Sequence, residues 1–237
     1  MKKIFKTYKK FEKANLLQLS SFFLGFAVGK NKDKKIRPFF KNAYIVIKEN
    51  KGILYWRKEN FEKAILVLNN LIEKKPKYNS ELLKKIEKKA KEIKRITAKI
   101  AKMKLNKKSN QEIAKFVQVL YNIKVEWADL LFIPNILVME QKPSKFEILA
   151  IEIENRINIL MDSIIKEISR RTFYSVSQLY FALPIEIKDI INKKGLKRYE
   201  LDNRSKLCLI EVNRNGKLKV ISGIEAKNII KKYKTIL

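Results

Sequence analysis

Residues Ser80 to Met103 constrain the fold more than any other stretch of this chain. Leu82, Ile86, Ala90, Ile93, Thr97 and Ile100 recur at alternating four- and three-residue steps, which places all six on one side of an α-helix. Such a helix would span about 35 Å at ~1.5 Å per residue. An apolar seam of this period suits antiparallel packing against other helices. On a different face, Lys84, Lys88, Lys91, Arg95, Lys99 and Lys102 form a basic stripe. The stripe reads in two ways, as a surface that tracks phosphates or as a solvated helix face.

Further helices follow from the same periodicity. Phe61, Ile65, Leu68 and Ile72 mark one that Pro76 should end. Ser109 and Glu112 have the spacing of a capping box and open another, with Ile113, Phe116, Leu120, Ile123, Trp127, Leu130 and Leu131 inward. Pro134 should kink or end it. A third starts near Pro143 and Ser144, carries Ile153, Ile157, Leu160, Ile164 and Ile168, and closes on Arg170-Arg171, cations suited to a helix C-terminus. With six glycines and five prolines in 237 residues, long helices are favoured over a turn-rich sheet fold.

Two runs have β character. Tyr44-Ile45-Val46-Ile47 and Ile53-Leu54-Tyr55-Trp56 flank Lys48–Gly52, which predicts a hairpin. Its aromatic residues suit either the edge of a core or a base-stacking surface. The predicted fold is therefore mainly α: an antiparallel helical bundle with two small β-hairpins. The second hairpin belongs to a C-terminal cassette. The division expected is a helical domain over 1–178, with its hairpin near 44–56, and a connector cassette over 179–237.

The cassette has a definite order. Leu183-Pro184-Ile185-Glu186-Ile187 starts a short helix, with proline at a first helical position. Gly195 suits the residue that stops it. Arg204 follows, then a hairpin turning on Asn215-Gly216. Ser222 and Glu225 have capping-box spacing and open a last helix. This order resembles the segment before the phosphohistidine domain in phosphoenolpyruvate-utilising enzymes, the phosphoenolpyruvate synthase and rifampicin phosphotransferase group. Leu183 stands where the family has a capping Thr, and Ile185 replaces its first Glu. The resemblance runs back through Ser109-Asn110-Gln111-Glu112-Ile113, Pro76-Lys77-Tyr78 and Tyr55-Trp56, so it covers most of residues 44–233. It implies the family's helical middle region, where substrate-binding helices lie. The ATP-grasp domain has no counterpart, since no glycine-rich phosphate loop precedes a basic strand.

The chain contains no histidine. That excludes a histidine general base, a His-ligated metal and the family's phosphohistidine. What the resemblance then implies is a non-catalytic adaptor or substrate-binding subunit, acting with ATP-grasp or phosphohistidine domains on a separate chain, or a relic that keeps only the scaffold. No cofactor is called for. In the family an Arg stands where Arg204 does; a structural salt bridge or carbonyl contact and a phosphate-holding role are the two readings.

Net charge is +30, from 54 basic and 24 acidic residues. Such an excess points to nucleic acid or an anionic membrane surface, while A/T-rich coding also enriches lysine. Leu16 to Val28 is apolar but short for a bilayer. It reads as a buried helix, or as an interfacial one inserting Phe22, Phe23 and Phe26. Glu126 and Asp129 share a helix face beside Trp127, suited to a cation or to lysine pairing. Glu152 and Glu154 point to different sides and make no acid–base pair. Cys208 lies in a β-like run, as a small buried filler rather than a nucleophile. The expected location is the cytoplasm.

Overall fold

The computed structural model describes residues 5–28, 39, 43–75, 77–137, 145–194, 197–212 and 217–234. The chain is mainly α-helical and carries one antiparallel sheet. In order, the elements are β1 (Phe5–Phe11), α1 (Leu16–Val28), β2 (Ala43–Lys48), β3 (Lys51–Arg57), α2 (Lys58–Lys74) and α3 (Tyr78–Ala101). A 3-10 turn at Leu105–Lys107 leads into α4 (Asn110–Leu137), α5 (Lys145–Arg171), α6 (Val176–Leu179) and α7 (Pro184–Ile191). Then come α8 (Arg198–Lys206), β4 (Leu207–Val212), β5 (Leu218–Ser222) and α9 (Gly223–Lys234).

The bundle forms as its periodicity requires. Ile86, Ala90, Ile93 and Thr97 of the α3 seam are at most 2% exposed. Ile86, Ala90 and Ile93 share one core with Ile113, Val117 and Leu120 of α4, Ile153, Ile157 and Ile164 of α5, and Ile187 and Ile190 of α7, which joins it by packing on α4. The Thr97 hydroxyl, buried in this seam, donates to the Ile93 carbonyl at 2.8 Å, so its own polar group is matched. Ser109 caps α4 as its spacing predicts. Its Oγ accepts the Glu112 N–H at 3.2 Å, and its own N–H donates to Glu112 Oε2 at 2.9 Å. Of the two outcomes expected at Pro134, an end to the helix does not occur: α4 runs on through it to Leu137.

The two hairpins are not separate. β2 pairs with β3, β4 with β5, and β2 with β4, giving the order β1-β3-β2-β4-β5. The sheet therefore crosses the boundary expected between 178 and 179: Ile45 lies opposite Ile210, and Ile47 opposite Cys208. The physical reason is edge pairing. Two isolated hairpins would each expose unpaired strand edges, and joining them satisfies both. β1 covers the outer edge of β3 in the same way, with Phe5 opposite Arg57. The β2–β3 turn uses Glu49 and Asn50, with φ of 50° and 62°, not Gly52. Gly52 instead lies in β3, where an added Cβ would stand 2.5 Å from Leu19 Cδ1.

Strand alternation gives the sheet two apolar faces. Ile45, Ile47, Leu54, Trp56, Cys208 and Ile210 pack on Phe23 and Phe26 of α1 and Ala64 and Leu68 of α2. Tyr44, Leu209 and Ile221 face the other way, against Ala226, Ile229 and Ile230 of α9. The aromatic residues of the first hairpin thus belong to cores: Trp56 is 1% exposed, and its indole N–H donates to the Phe39 carbonyl at 2.9 Å.

α1 joins sheet and bundle. Leu16, Phe23 and Phe26 are fully buried, so the interfacial reading of Leu16–Val28 is corrected. The segment is apolar all round because protein covers it on both sides. Its hydroxyls are matched internally: Ser21 Oγ donates to the Gln18 carbonyl at 2.8 Å, and Tyr121 Oη of α4 donates to Ser20 Oγ at 3.1 Å. Among the described residues no helix is long and apolar enough to cross a membrane.

Pro76, Pro143-Ser144, Gly195 and Asn215-Gly216 lie outside the described residues. The Ser222–Glu225 box does not form. Ser222 is the last residue of β5, Gly223 turns the chain with φ of 62°, and Glu225 Oε1 lies 3.9 Å from Lys219 Nζ.

Candidate functional site

The basic stripe is the most sharply defined surface feature of α3. Lys84, Lys88, Lys91, Arg95, Lys99 and Lys102 are all exposed. At about 100° per residue they fall within an arc of about 80°, centred opposite the buried seam. They recur once per turn, about every 5.4 Å, over about 27 Å of helix. The fold places them there because the seam fixes the rotation of the helix. Among the described residues none of the six forms an ion pair. Glu81 and Glu87 flank the stripe without pairing with it.

The neighbouring lysines behave differently. Lys89 bridges Glu92, at 3.1 Å, and Glu126 of α4. Burial alone lowers the Lys89 pKa, but the two carboxylates more than reverse this and hold it above its ordinary value. Lys94 Nζ lies 2.8 Å from Glu152 of α5. These two lysines tie α3 to α4 and α5, and the six of the stripe are left to solvent. Lys85, Lys88, Lys89, Glu92, Glu126 and Leu130 line an open cleft of about 380 Å³ between α3 and α4.

Glu126 and Asp129 do not meet as a cation site. Glu126 is exposed and paired with Lys89, and Asp129 is 3% exposed. Among the described residues no group of three or more acidic or cysteine side chains has the geometry of a metal site. Glu152 and Glu154 diverge as expected, Glu152 toward Lys94 and Glu154 toward Lys124.

Arg204 is not a surface cation. It is 5% exposed. Its guanidinium donates to both oxygens of Glu186, at 2.7 and 2.9 Å, to Glu200 Oε1 at 3.1 Å and to the Phe181 carbonyl at 3.2 Å. Burial acts to lower its pKa, and the Glu186 and Glu200 carboxylates more than offset that. The same Glu186 Oε2 accepts the Leu183 N–H at 2.7 Å, completing the first turn of α7. Placing Arg204 among phosphate contacts is therefore corrected: two carboxylates and a carbonyl already occupy its donors. Its work is to clasp α7 to α8.

A polar cluster that sequence reasoning missed lies between α4, α5 and α6. Lys124 Nζ donates to Asn158 Oδ1 at 2.8 Å, and the Tyr180 hydroxyl donates to Asp162. Burial pushes the Lys124 ammonium down to about 8, with Glu154 and Asp162 partly opposing the shift. The i, i+4, i+8 spacing of Glu154, Asn158 and Asp162 was the available signal. Desolvation likewise raises the Cys208 thiol to about 12, and the side chain is fully buried, as a filler should be.

Comparison with known protein families, with curated proteins and with solved structures gave no match.

Proposed function

We propose that this protein is a non-catalytic scaffold that binds nucleic acid through the exposed face of α3. The observation that carries this reading is the six-cation stripe without ion pairs. Three carboxylates, Glu126, Glu152 and Glu186, are drawn into bridges between helices, and among the described residues none reaches this row. A regular row of cations suits a regular row of phosphates, and binding would release the counterions condensed on the nucleic acid.

The test is the salt dependence of affinity. Lys84, Lys88, Lys91 and Arg95 are exposed, so replacing all four with Gln should leave the fold intact. The slope of log K against log salt should become shallower by about three to four units on duplex DNA, at ~0.9 per lost phosphate contact. An unchanged slope in the folded variant would refute the reading.

A second reading keeps the resemblance to phosphoenolpyruvate-utilising enzymes: a helical adaptor or substrate-binding subunit for a separate phosphohistidine- or ATP-grasp-bearing chain. It is supported by the order of α7, Arg204, the β4–β5 hairpin and α9. Co-purification with a histidine-bearing swivelling domain, lost on disrupting α9, would be expected of it.

A further inference from the structure

The inference drawn here rests on the nucleic-acid reading and adds the form of the ligand. At its C-terminal end, α3 gives way to Lys102, Lys104 and Lys107, all exposed. Arg171, at the end of α5, grips this same loop. Its guanidinium donates to the Leu105 carbonyl at 2.8 Å and to the Lys108 carbonyl at 2.7 Å. Two residues beyond Arg171 stands Phe173, 88% exposed. Its neighbours on both sides are fixed: Thr172 Oγ1 donates to the Ile168 carbonyl at 2.9 Å, and Ser169 Oγ to the Tyr174 carbonyl at 2.8 Å. The aromatic ring is thus held out to water by an ordered backbone.

Cations and rings alternate beyond it. The Arg198 guanidinium lies over the Tyr174 ring at 5.8 Å, and Lys197 Nζ over Tyr199 at 6.0 Å. Tyr199 is itself 61% exposed. The loop that follows the stripe is thus joined through Arg171 to the segment carrying Phe173, with the exposed Tyr199 and its cations beyond.

We propose that the ligand is single-stranded nucleic acid, whose backbone follows the α3 stripe and whose bases stack on Phe173 and Tyr199. A phosphate-tracking face alone does not distinguish duplex from single strand. An exposed ring does, because only an unpaired base offers its face for stacking. The cations beside the rings favour this occupant over an apolar protein surface, since they match the phosphates flanking each stacked base.

The experiment compares three probes of equal length by fluorescence anisotropy: a thymidine single strand, a duplex, and a single strand of abasic sugar-phosphate. Three variants are tested: Phe173→Ala, Phe173→Trp, and the Lys84, Lys88, Lys91 and Arg95 to Gln variant. Phe173→Ala should weaken the thymidine strand about tenfold and leave the abasic strand, the duplex and the salt slope unchanged. Phe173→Trp should restore binding, and its new indole should be quenched by the thymidine strand but not the abasic one. If Phe173→Ala binds all three probes like the parent while the Gln variant loses binding, stacking is refuted and the stripe stands; the ring is then free for a protein partner. If the Gln variant keeps parental binding and salt slope, the underlying reading falls and takes this inference with it.

Discussion

Removing the Glu186 carboxylate should be among the most costly single changes to this chain. Glu186→Ala takes away two charge-assisted bonds to Arg204 and the acceptor for the Leu183 N–H. It leaves a guanidinium that is 5% exposed with only Glu200 and the Phe181 carbonyl. Breaking a buried pair from one side costs about 3–5 kcal/mol. The Glu186 side chain keeps 19% of its surface accessible and Glu200 remains within 3.1 Å, so water and the second carboxylate should bring the cost to about 3 kcal/mol. For a chain of this size that is a fall in Tm of about 6–12 °C. Arg204→Met should cost less, because Glu186 can hydrate and still cap α7. The double variant Glu186→Ala, Arg204→Met should be less destabilised than the sum of the singles, by about 1.5–3 kcal/mol. Urea unfolding of the four proteins, with m compared across them, measures this cycle. Strict additivity, or a Glu186→Ala variant within about 0.5 kcal/mol of the parent, would refute the clasp.

Two further perturbations probe other parts of the fold. The folded-state pKa of Lys124, near 8, lies below its ordinary 10.5. The unfolded chain therefore binds more protons between those values, and stability should rise with pH through that window. Relative to Lys124→Met, the parent should gain roughly 1–2 kcal/mol between pH 7.5 and 9.5; a pH-independent difference in urea unfolding would contradict the burial of this amine. At Gly25 an added Cβ would stand 2.3 Å from the Val125 carbonyl oxygen and 2.9 Å from the Asp129 nitrogen. Both obstacles are backbone, so Gly25→Ala should push α1 from α4 at a cost on the order of 3 kcal/mol, and a parental Tm would mean the helices are not this close.

What the sequence shows and what it hides divide by range. The α3 seam, the Ser109 cap and the Pro184 start are local patterns, and each forms where its spacing places it. The β2–β4 pairing joins residues more than 150 positions apart, and nothing in either strand names its partner. α8 is hidden for another reason. Residues Arg198–Lys206 have little apolar periodicity, and the helix is held by Leu201 and the Arg204 clasp, both tertiary. Gly25 looks unremarkable in an apolar run until α4 is laid against it. The stripe residues were legible as a helix face, but whether acids neutralise them depends on packing.

That dependence links the charge excess to the proposed function. With 24 acidic residues against 54 basic ones, where the carboxylates go decides where positive potential remains. Glu186 and Glu200 serve Arg204, Glu167 holds Arg170 and Arg171, Glu126 and Glu92 hold Lys89, Glu152 meets Lys94, and Glu112 meets Lys108. Several of these bridges join different elements or brace a helix end. The largely buried ones, Glu186–Arg204 and Glu167–Arg171, are less screened than a free surface pair, so they contribute to the fold while drawing those two carboxylates away from the outer surface. The outer face of α3 faces away from the helices it packs on, and among the described residues no carboxylate of a neighbouring element pairs with it. Compositional lysine enrichment by itself would scatter cations and acids together over the surface. A stripe at helical period, unpaired over about 27 Å, beside acids drawn into bridges, is the arrangement that concentrates field along one line, and a linear polyanion is the ligand whose charge has that shape.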